Sequence, residues 1–374
     1  TLTKMQANND LANGSGGNRI GLATYVNDGS NWNYFTTTSA DAIQPGTGLI
    51  AKLDNASAGS VLSFKGNYSK GTVETTISQG TNNFNFVGNP YSSYINLGTF
   101  FTDNNAANRL SEPTIWIWDE DKNGAGLGGY VTKMSGTDAA FEIAPGQAFF
   151  VSAGSAASNK VTFTEANQSH QTDTFLKGNN SERTEVTIKT VQDDLIQDTK
   201  LYYIEGTTTG FDNGFDGGLF DGVETGLSLY TELISNNTGE KLSIQSLPNS
   251  NFEDMTVRLG LKAQANKEIT FSSSSINLPE GMNVLIEDRV ANTLTNLTTD
   301  NYKVTLTEKV NGAGRFFIHT SNAKALSVES TQLAGVNIYK LENNILRISG
   351  LSEGKANLSL FNILGKEVVT SSLD

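Results

Sequence analysis

An acidic turn in the first half of the chain has the residue types and spacing of a calcium loop. Asp119, Asp121 and Asn123 place oxygen ligands at positions 1, 3 and 5. Gly124 stands at position 6, but position 12 is Tyr130, where a calcium loop carries a bidentate Glu. Asp, Asn and Gly are also favoured in β-hairpin turns. Two interpretations are therefore open, a hairpin turn and a Ca²⁺ site.

A second acidic segment combines carboxylates with aromatic rings in a glycine-rich loop. It contains, in order, Phe211, Asp212, Phe215, Asp216, Phe220 and Asp221. The rings can anchor a structural loop on a β-sandwich while the carboxylates face solvent. Alternatively, the carboxylates bind Ca²⁺, or two of them act as acid and base in hydrolysis, which needs a pair ~5–10 Å apart with one raised pKa. Nothing in the sequence singles out such a pair.

Residues for other catalytic chemistry are scarce. The chain has no cysteine, no Gly-x-Ser-x-Gly motif and no phosphate-binding glycine loop. Its two histidines are His170, in a polar segment, and His319, in the strand-like run Arg315-Phe-Phe-Ile-His-Thr320, where a structural histidine is expected. We therefore predict that the chain is not an enzyme.

The tryptophans offer a different chemistry, stacking against sugar rings. Trp116 and Trp118 are two residues apart in an apolar run, so they share one face of the predicted strand. Trp32 precedes them in the chain. Because paired aromatic residues on one strand face are also typical of core packing, a glycan-binding platform and a buried core both remain open.

The composition narrows the class of protein and of partner. At 374 residues, two to four domains are expected. Frequent glycine (37) and scarce proline (6) between short apolar runs are typical of many strands joined by tight turns. The net charge of −13 repels phosphate backbones and anionic lipid, which argues against nucleic-acid binding. No apolar run approaches the ~20 residues of a membrane helix.

Two segments of similar pattern lie in the N-terminal half, residues 19–76 and residues 109–175. The best-matched parts are Ile43-Gln-Pro-Gly-Thr-Gly-Leu-Ile50 and Ile143-Ala-Pro-Gly-Gln-Ala-Phe-Phe150. Pro-Gly sets the two central positions of a type II turn, which here precedes a strand. We therefore predict a small antiparallel unit present twice. Since the first copy starts close to Thr1, and the chain has neither initiator Met nor signal peptide, we expect a processed form or fragment of a longer protein.

Beyond the polar boundary at residues 167–181, apolar residues alternate with period 2 in about nine runs, from Val186 and Ile188 to Phe316 and Ile318. We predict an all-β chain: tandem antiparallel β-sandwich or jelly-roll-like domains followed by a small β-sandwich module. The predicted divisions are repeat copy 1 at 1–82, with its lead-in upstream; repeat copy 2 at 83–178; a β-sandwich domain at 179–322; a linker at 323–334; and the C-terminal module at 335–374.

The C-terminal module has a specific pattern. Ile345-Leu-Arg-Ile-Ser-Gly-Leu351 precedes Leu358-Ser-Leu-Phe-Asn-Ile-Leu-Gly-Lys-Glu-Val368. In strand pattern, turn motif and C-terminal position, this resembles the type A sorting domain of type IX secretion substrates of Bacteroidota. The upstream run Phe86-Val-Gly-Asn-Pro-Tyr91 resembles a region that precedes such domains. Val336-Asn-Ile-Tyr339 stands where a Pro-Asn-Pro is usual and the usual last strands are missing, so we expect an incomplete module.

The resemblance implies export through the periplasm and across the outer membrane, to the cell surface or the medium. The implied partners are the outer-membrane translocon channel and its shuttle barrel. In gliding members of the phylum such proteins are often surface adhesins, which adds surface glycans as a partner class. The alternative is a non-catalytic accessory or carbohydrate-binding region of a secreted hydrolase. The residues implied to contact the translocon are Leu358, Leu360, Phe361, Asn362, Leu364, Gly365 and Lys366.

Overall fold

The computed structural model shows two compact units, Thr1–Ser321 and Asn322–Asp374. The predicted all-β class is confirmed, because strands dominate and the described residues contain one α-helix. Within those residues, no helix is long and apolar enough to cross a membrane. The structure describes residues 11–14, 18–39, 43–54, 66–105, 108–124, 126–156, 159–170, 183–220, 225–250, 255–322, 337–340, 346–349, 356–361 and 367–373.

The N-terminal half of the first unit consists of small antiparallel sheets, with strand orders β2-β1-β3, β5-β10-β7-β8, β11-β4 and β12-β6-β9. The strands are β1 (Arg19–Val26), β2 (Asn31–Thr36), β3 (Ile50–Ala51), β4 (Val73–Thr76), β5 (Phe84–Gly88), β6 (Tyr94–Asn96), β7 (Leu110–Asp119), β8 (Gly129–Met134), β9 (Glu142–Ile143), β10 (Ala148–Ala153), β11 (Lys160–Phe163) and β12 (Gln168–Ser169). The helices are α1 (Leu97–Asn104) and a 3-10 turn (Glu165–Asn167).

The sheet β5-β10-β7-β8 is covered on both faces. Alternation along β7 sends Ile115 and Ile117 to one face and Trp116 and Trp118 to the other. The isoleucine face forms a core with β10 and helix α1, where Phe149 is fully buried. The tryptophan face meets aromatic rings from β1, β2 and a later loop. This sheet therefore joins several parts of the first unit.

Helix α1 closes the isoleucine face. The side chain of Asn96 caps it by accepting the Thr99 N–H at 3.0 Å. Leu97, Phe100 and Phe101 are buried on its inner side. With eight residues it makes little more than two turns, too short for a clear 3.6-residue period in the sequence.

The two predicted repeat copies are joined by β-structure. Strand β4 belongs to the first predicted copy and pairs with β11 of the second, with Val73 opposite Phe163. The Gly48 N–H also donates to the Phe86 carbonyl at 3.1 Å. Hydrogen-bonded strands therefore cross the division predicted between residues 82 and 83.

The C-terminal half of the first unit is a single eleven-stranded sheet in the order β21-β20-β23-β18-β16-β17-β14-β13-β19-β22, with β15 paired to β17. The sheet curls into a nearly closed, barrel-like form around a core that includes Leu201, Leu229, Phe271 and Phe316. Its strands are β13 (Thr184–Gln192), β14 (Leu195–Ile204), β15 (Gly217–Gly218), β16 (Ser228–Glu232), β17 (Leu242–Pro248), β18 (Thr256–Ala263), β19 (Glu268–Ile276), β20 (Met282–Asp288), β21 (Thr293–Asn296), β22 (Tyr302–Thr305) and β23 (Val310–Asn322).

The strands predicted from period-2 alternation are present in this sheet. In β18, for example, Val257, Leu259 and Leu261 all point into the common core. One pair departs from the predicted antiparallel arrangement, because β14 and β17 run parallel, with Lys200 opposite Ile244. The chain between β14 and β17 passes through β15 and β16, and this long connection is the crossover that a parallel pair requires.

The second unit contains two antiparallel hairpins, β24 (Asn337–Lys340) with β25 (Leu346–Ser349), and β26 (Ala356–Phe361) with β27 (Glu367–Leu373). Three of the predicted translocon-contacting residues, Leu358, Leu360 and Phe361, lie on β26. The others lie outside the described residues, namely Asn362, Leu364, Gly365 and Lys366.

Candidate functional site

A groove of about 390 Å³ lies between hairpin β7–β8 and the outer face of strands β14 and β17. Alternation along β14 explains its second wall. Leu201 and Tyr203 point into the barrel-like core, so Lys200 and Tyr202 point outward and line the groove. Phe220, from the loop after β15, lines it as well. The volume falls within the range of ligand pockets, ~300–1,000 Å³.

The acidic turn after β7 forms one rim of this groove. The Asp121 N–H donates to Asp119 Oδ1 at 3.0 Å, and Lys122 pairs with Asp198 of β14. Asn123 has a positive φ of 73°, and its Nδ2 donates to the Gly128 carbonyl at 2.7 Å. The turn is thus closed by its own side chains, as the hairpin interpretation predicts.

The same contacts bear on the calcium interpretation. The Oδ1 atom of Asn123, the proposed third ligand, accepts the Gln197 amide at 2.8 Å. No group of three or more Asp, Glu, His or Cys residues in the described chain is arranged to hold a metal ion. Asp119 and Asp121 lie at one rim, and the third aspartate that lines the groove, Asp198, is paired with Lys122. The described contacts therefore favour the hairpin-turn interpretation of this segment.

The carboxylates of the second acidic segment are engaged in its loop. Asp212 accepts the Thr208 N–H at 2.6 Å. Asp216 is fully buried and accepts the N–H groups of Asp212 and Ser246, each at 2.6 Å. Desolvation nevertheless raises the pKa of Asp216 to about 7. Asp221 lies outside the described residues. Asp212 and Asp216 thus fix the loop against β17.

Phe220 anchors the end of this loop in the aromatic face of the four-stranded sheet. Its ring lies 4.4 Å from that of Phe150, 4.5 Å from Phe84 and 4.7 Å from Tyr130. Phe211, at the start of the segment, is 40% exposed. The loop therefore connects the eleven-stranded sheet to the four-stranded sheet and closes one side of the groove.

The two tryptophans of β7 differ in exposure. Trp116 is 1% exposed, and its Nε1–H donates to the Gly218 carbonyl at 2.9 Å. Trp118 is 39% exposed and makes an edge contact with Tyr130 at 5.1 Å. Trp116 therefore belongs to the core, as the second interpretation predicts, while Trp118 presents an aromatic surface beside Tyr130, which lines the groove.

Glu112 belongs to none of the sequence motifs described above, and it is a partly buried carboxyl group on β7. It accepts the Gly218 N–H at a long 3.5 Å, and desolvation raises its pKa to about 7. Glu112 also raises the pKa of the nearby Asp216. The only sequence signal was an acidic residue just before the apolar run Ile115-Trp-Ile-Trp118 of β7.

Comparison with known proteins identifies one family. The family model described as "Domain of unknown function (DUF8693)" matches residues 22–319, most of the chain. No curated protein and no solved structure matches the chain.

Proposed function

The chain belongs to the DUF8693 family of domains of unknown function, and we propose that it is a non-catalytic, adhesin-like protein exported through the type IX secretion system. In this proposal, the unit Thr1–Ser321 is the exported body, displayed at the cell surface or released. The unit Asn322–Asp374 carries the sorting signal, which the outer-membrane translocon and its shuttle barrel recognise.

The observation that carries the proposal is the separability of the two units. The family match ends at residue 319, and the first compact unit ends at Ser321. The sorting-like sequence therefore lies entirely outside both the matched region and the first unit. A sorting signal must be accessible to the export machinery whatever protein it is attached to. It is therefore expected to fold as a separate unit.

The position of the motif within the second unit also supports the proposal. The run from Leu358 to Val368 begins on β26 and ends on β27, and these strands pair in antiparallel register, with Leu360 opposite Val369. The register shifts between Leu360 and Phe361. The described part of the motif therefore lies on two paired strands.

Deletion of residues 335–374 tests this proposal in a host that has the type IX machinery. We expect the full chain at the surface or in the medium and the truncated chain in the periplasm. The readouts are cell fractionation and digestion of intact cells by an added protease. In the reciprocal arm, residues 322–374 fused to a periplasmic reporter should carry the reporter outside, and only when the translocon is intact.

Tryptophan emission supplies the folding control, because Trp32, Trp116 and Trp118 all belong to the first unit. The truncated chain should unfold like the first unit of the full chain. Unchanged surface display after the deletion would refute the sorting role.

A second candidate function is a carbohydrate-binding accessory region of a larger secreted hydrolase. The groove beside Tyr130 and the exposed Trp118 favour this candidate. Both candidates place the chain outside the cell and both require a ligand-binding surface on the first unit.

A further inference from the structure

The lysines that line the groove are all paired with carboxylates. Lys122 pairs with Asp198, Lys133 with Asp138 and Lys200 with Glu185. The whole chain carries −13. Because each lysine of the groove already has a carboxylate partner, none is left to hold an anionic ligand, and an uncharged ligand with many polar groups is favoured.

Several polar and charged side chains of the groove are held in place. Lys122 pairs with Asp198, and Lys200 Nζ lies 2.7 Å from a carboxylate oxygen of Glu185. Thr132 and Ser243 share a hydrogen bond of 2.8 Å across the groove. Because these groups are fixed before a ligand arrives, little side-chain entropy is lost on binding.

Three other polar side chains of the groove differ in exposure, because Asp121 is exposed, Tyr130 is half-buried and Tyr202 is 3% exposed. In the described part of the chain, the hydroxyl groups of Tyr130 and Tyr202 and the carboxylate of Asp121 have no side-chain hydrogen-bond partner, yet all three residues line the groove. Desolvation raises the pKa of each of the two tyrosines to about 12. Both phenols therefore keep their protons at neutral pH and can donate as well as accept.

Aromatic and polar surfaces meet in this groove. The Phe220 and Tyr130 rings line it, 4.7 Å apart, and Trp118 stands next to Tyr130. Sugars have the complementary chemistry, with apolar C–H faces for aromatic rings and hydroxyl groups for paired donors and acceptors.

Building on the proposed extracellular function, we propose that this groove is a binding site for a neutral saccharide of one or two rings. Tyr130, Tyr202 and Asp121 bond the sugar hydroxyls, and Phe220 packs against an apolar sugar face. The site differs from the tryptophan platform expected from the sequence, since Trp116 is buried and only Trp118 borders the groove.

The test uses the whole chain purified from the cytoplasm of a host without type IX machinery, so that the result is independent of export. An array of neutral, sialylated and sulfated oligosaccharides is followed by calorimetry with the best neutral disaccharide. We expect binding to neutral glycans. Tyr130→Phe, Tyr202→Phe and Asp121→Asn should each weaken binding by about fivefold to tenfold, the effect of one lost hydrogen bond.

Matched controls are Tyr68→Phe and Asp300→Asn, at exposed positions outside the groove, which should bind like the unaltered chain. Each variant's melting temperature reports whether it is folded. Three outcomes would overturn the proposal: no neutral glycan bound, preference for sialylated or sulfated glycans, or hydroxyl-deletion variants that are folded and bind with unchanged affinity. None of them would affect the sorting experiment.

Discussion

Two carboxyl groups of the first unit, the buried Asp288 and the partly buried Glu112, differ in how they are stabilised. Desolvation opposes the charge of Asp288, but hydrogen bonds from Arg315, the Ala291 N–H and Tyr302 outweigh it and hold the pKa of Asp288 below its ordinary value. For Glu112, desolvation outweighs the hydrogen bonds from Thr114 and the Gly218 N–H, and it raises the pKa to about 7. Asp288 is therefore a stabilising anion, and Glu112 is a carboxyl group that is costly to ionise.

This difference predicts a pH-dependent effect of Glu112→Gln. The folded pKa of Glu112 lies above the unfolded value, so the wild-type free energy of unfolding falls as pH rises from about 4.5 to about 7. The glutamine variant has no ionisable group at position 112, so its free energy of unfolding does not fall in this way. We expect it to be more stable than wild type by roughly 2–3 kcal/mol at pH 8 and equally stable at pH 4.5.

Urea denaturation at the two pH values measures the effect. Glu280→Gln, at an exposed position, is the control and should show no such pH-dependent gain. A stability difference that is the same at both pH values would contradict the assignment of Glu112 as the titrating group.

At the scale of single residues, part of the candidate site could be predicted from the sequence. A hairpin turn at Asp119, Asp121 and Asn123 was one of the two interpretations that the sequence offered, because turn chemistry is local. The sequence did not identify Tyr202 or Glu112 as site residues, because their roles depend on partners from distant strands. Trp116 and Trp118 share a face as predicted, but only the packing of other segments decides which of them is covered.

The pairing of β16 with β18 depends on a glycine. Gly260 lies opposite Tyr230, whose ring is buried and has the Lys241 ammonium 4.8 Å from its centroid. A Cβ atom at position 260 would stand 2.1 Å from Tyr230 Cε2. Because the ring has no free space to move into, only glycine fits here.

We therefore expect Gly260→Ala to lower the free energy of unfolding by about 1–3 kcal/mol. Denaturant unfolding provides the measurement. Gly66→Ala is the matched control, since its Cβ meets no atom within 4 Å, and it should change stability by less than about 0.5 kcal/mol. Equal effects of the two substitutions would show that Tyr230 moves aside freely.

Strands were predictable where alternation was strong and one face was buried, as in β13, β18 and β23. Strand β21 was missed, because Leu294, its apolar residue, is exposed and gives no alternating pattern. The two-residue strand β15 was too short to show a period. The parallel partnership of β14 and β17 has no local sequence signature, since it follows from the path of the chain between them.

At the scale of the whole molecule, the pairing of β4 with β11 predicts how fragments behave. Residues 83–321 alone would lose the partner of β11 and the Gly48 bond to β5. We expect this fragment to aggregate or to melt well below residues 1–321, because it exposes unpaired strand edges. Near-ultraviolet circular dichroism and gel filtration measure the outcome.

Residues 1–321, compared with the full chain, are the control, because this cut falls at the boundary between the two units. A fragment 83–321 with the same melting temperature as residues 1–321 would show instead that residues 82 and 83 mark a true domain boundary.

The β4–β11 pair also limits the order in which parts of the chain can fold. Strands β5 to β10 all lie between its two members, so β4 has no partner until almost half of the chain has been made or delivered. The hairpins β7–β8 and β13–β14 join neighbouring segments and can form at once. Since closing a longer loop costs more entropy, we expect β4 to dock onto β11 after these hairpins have formed.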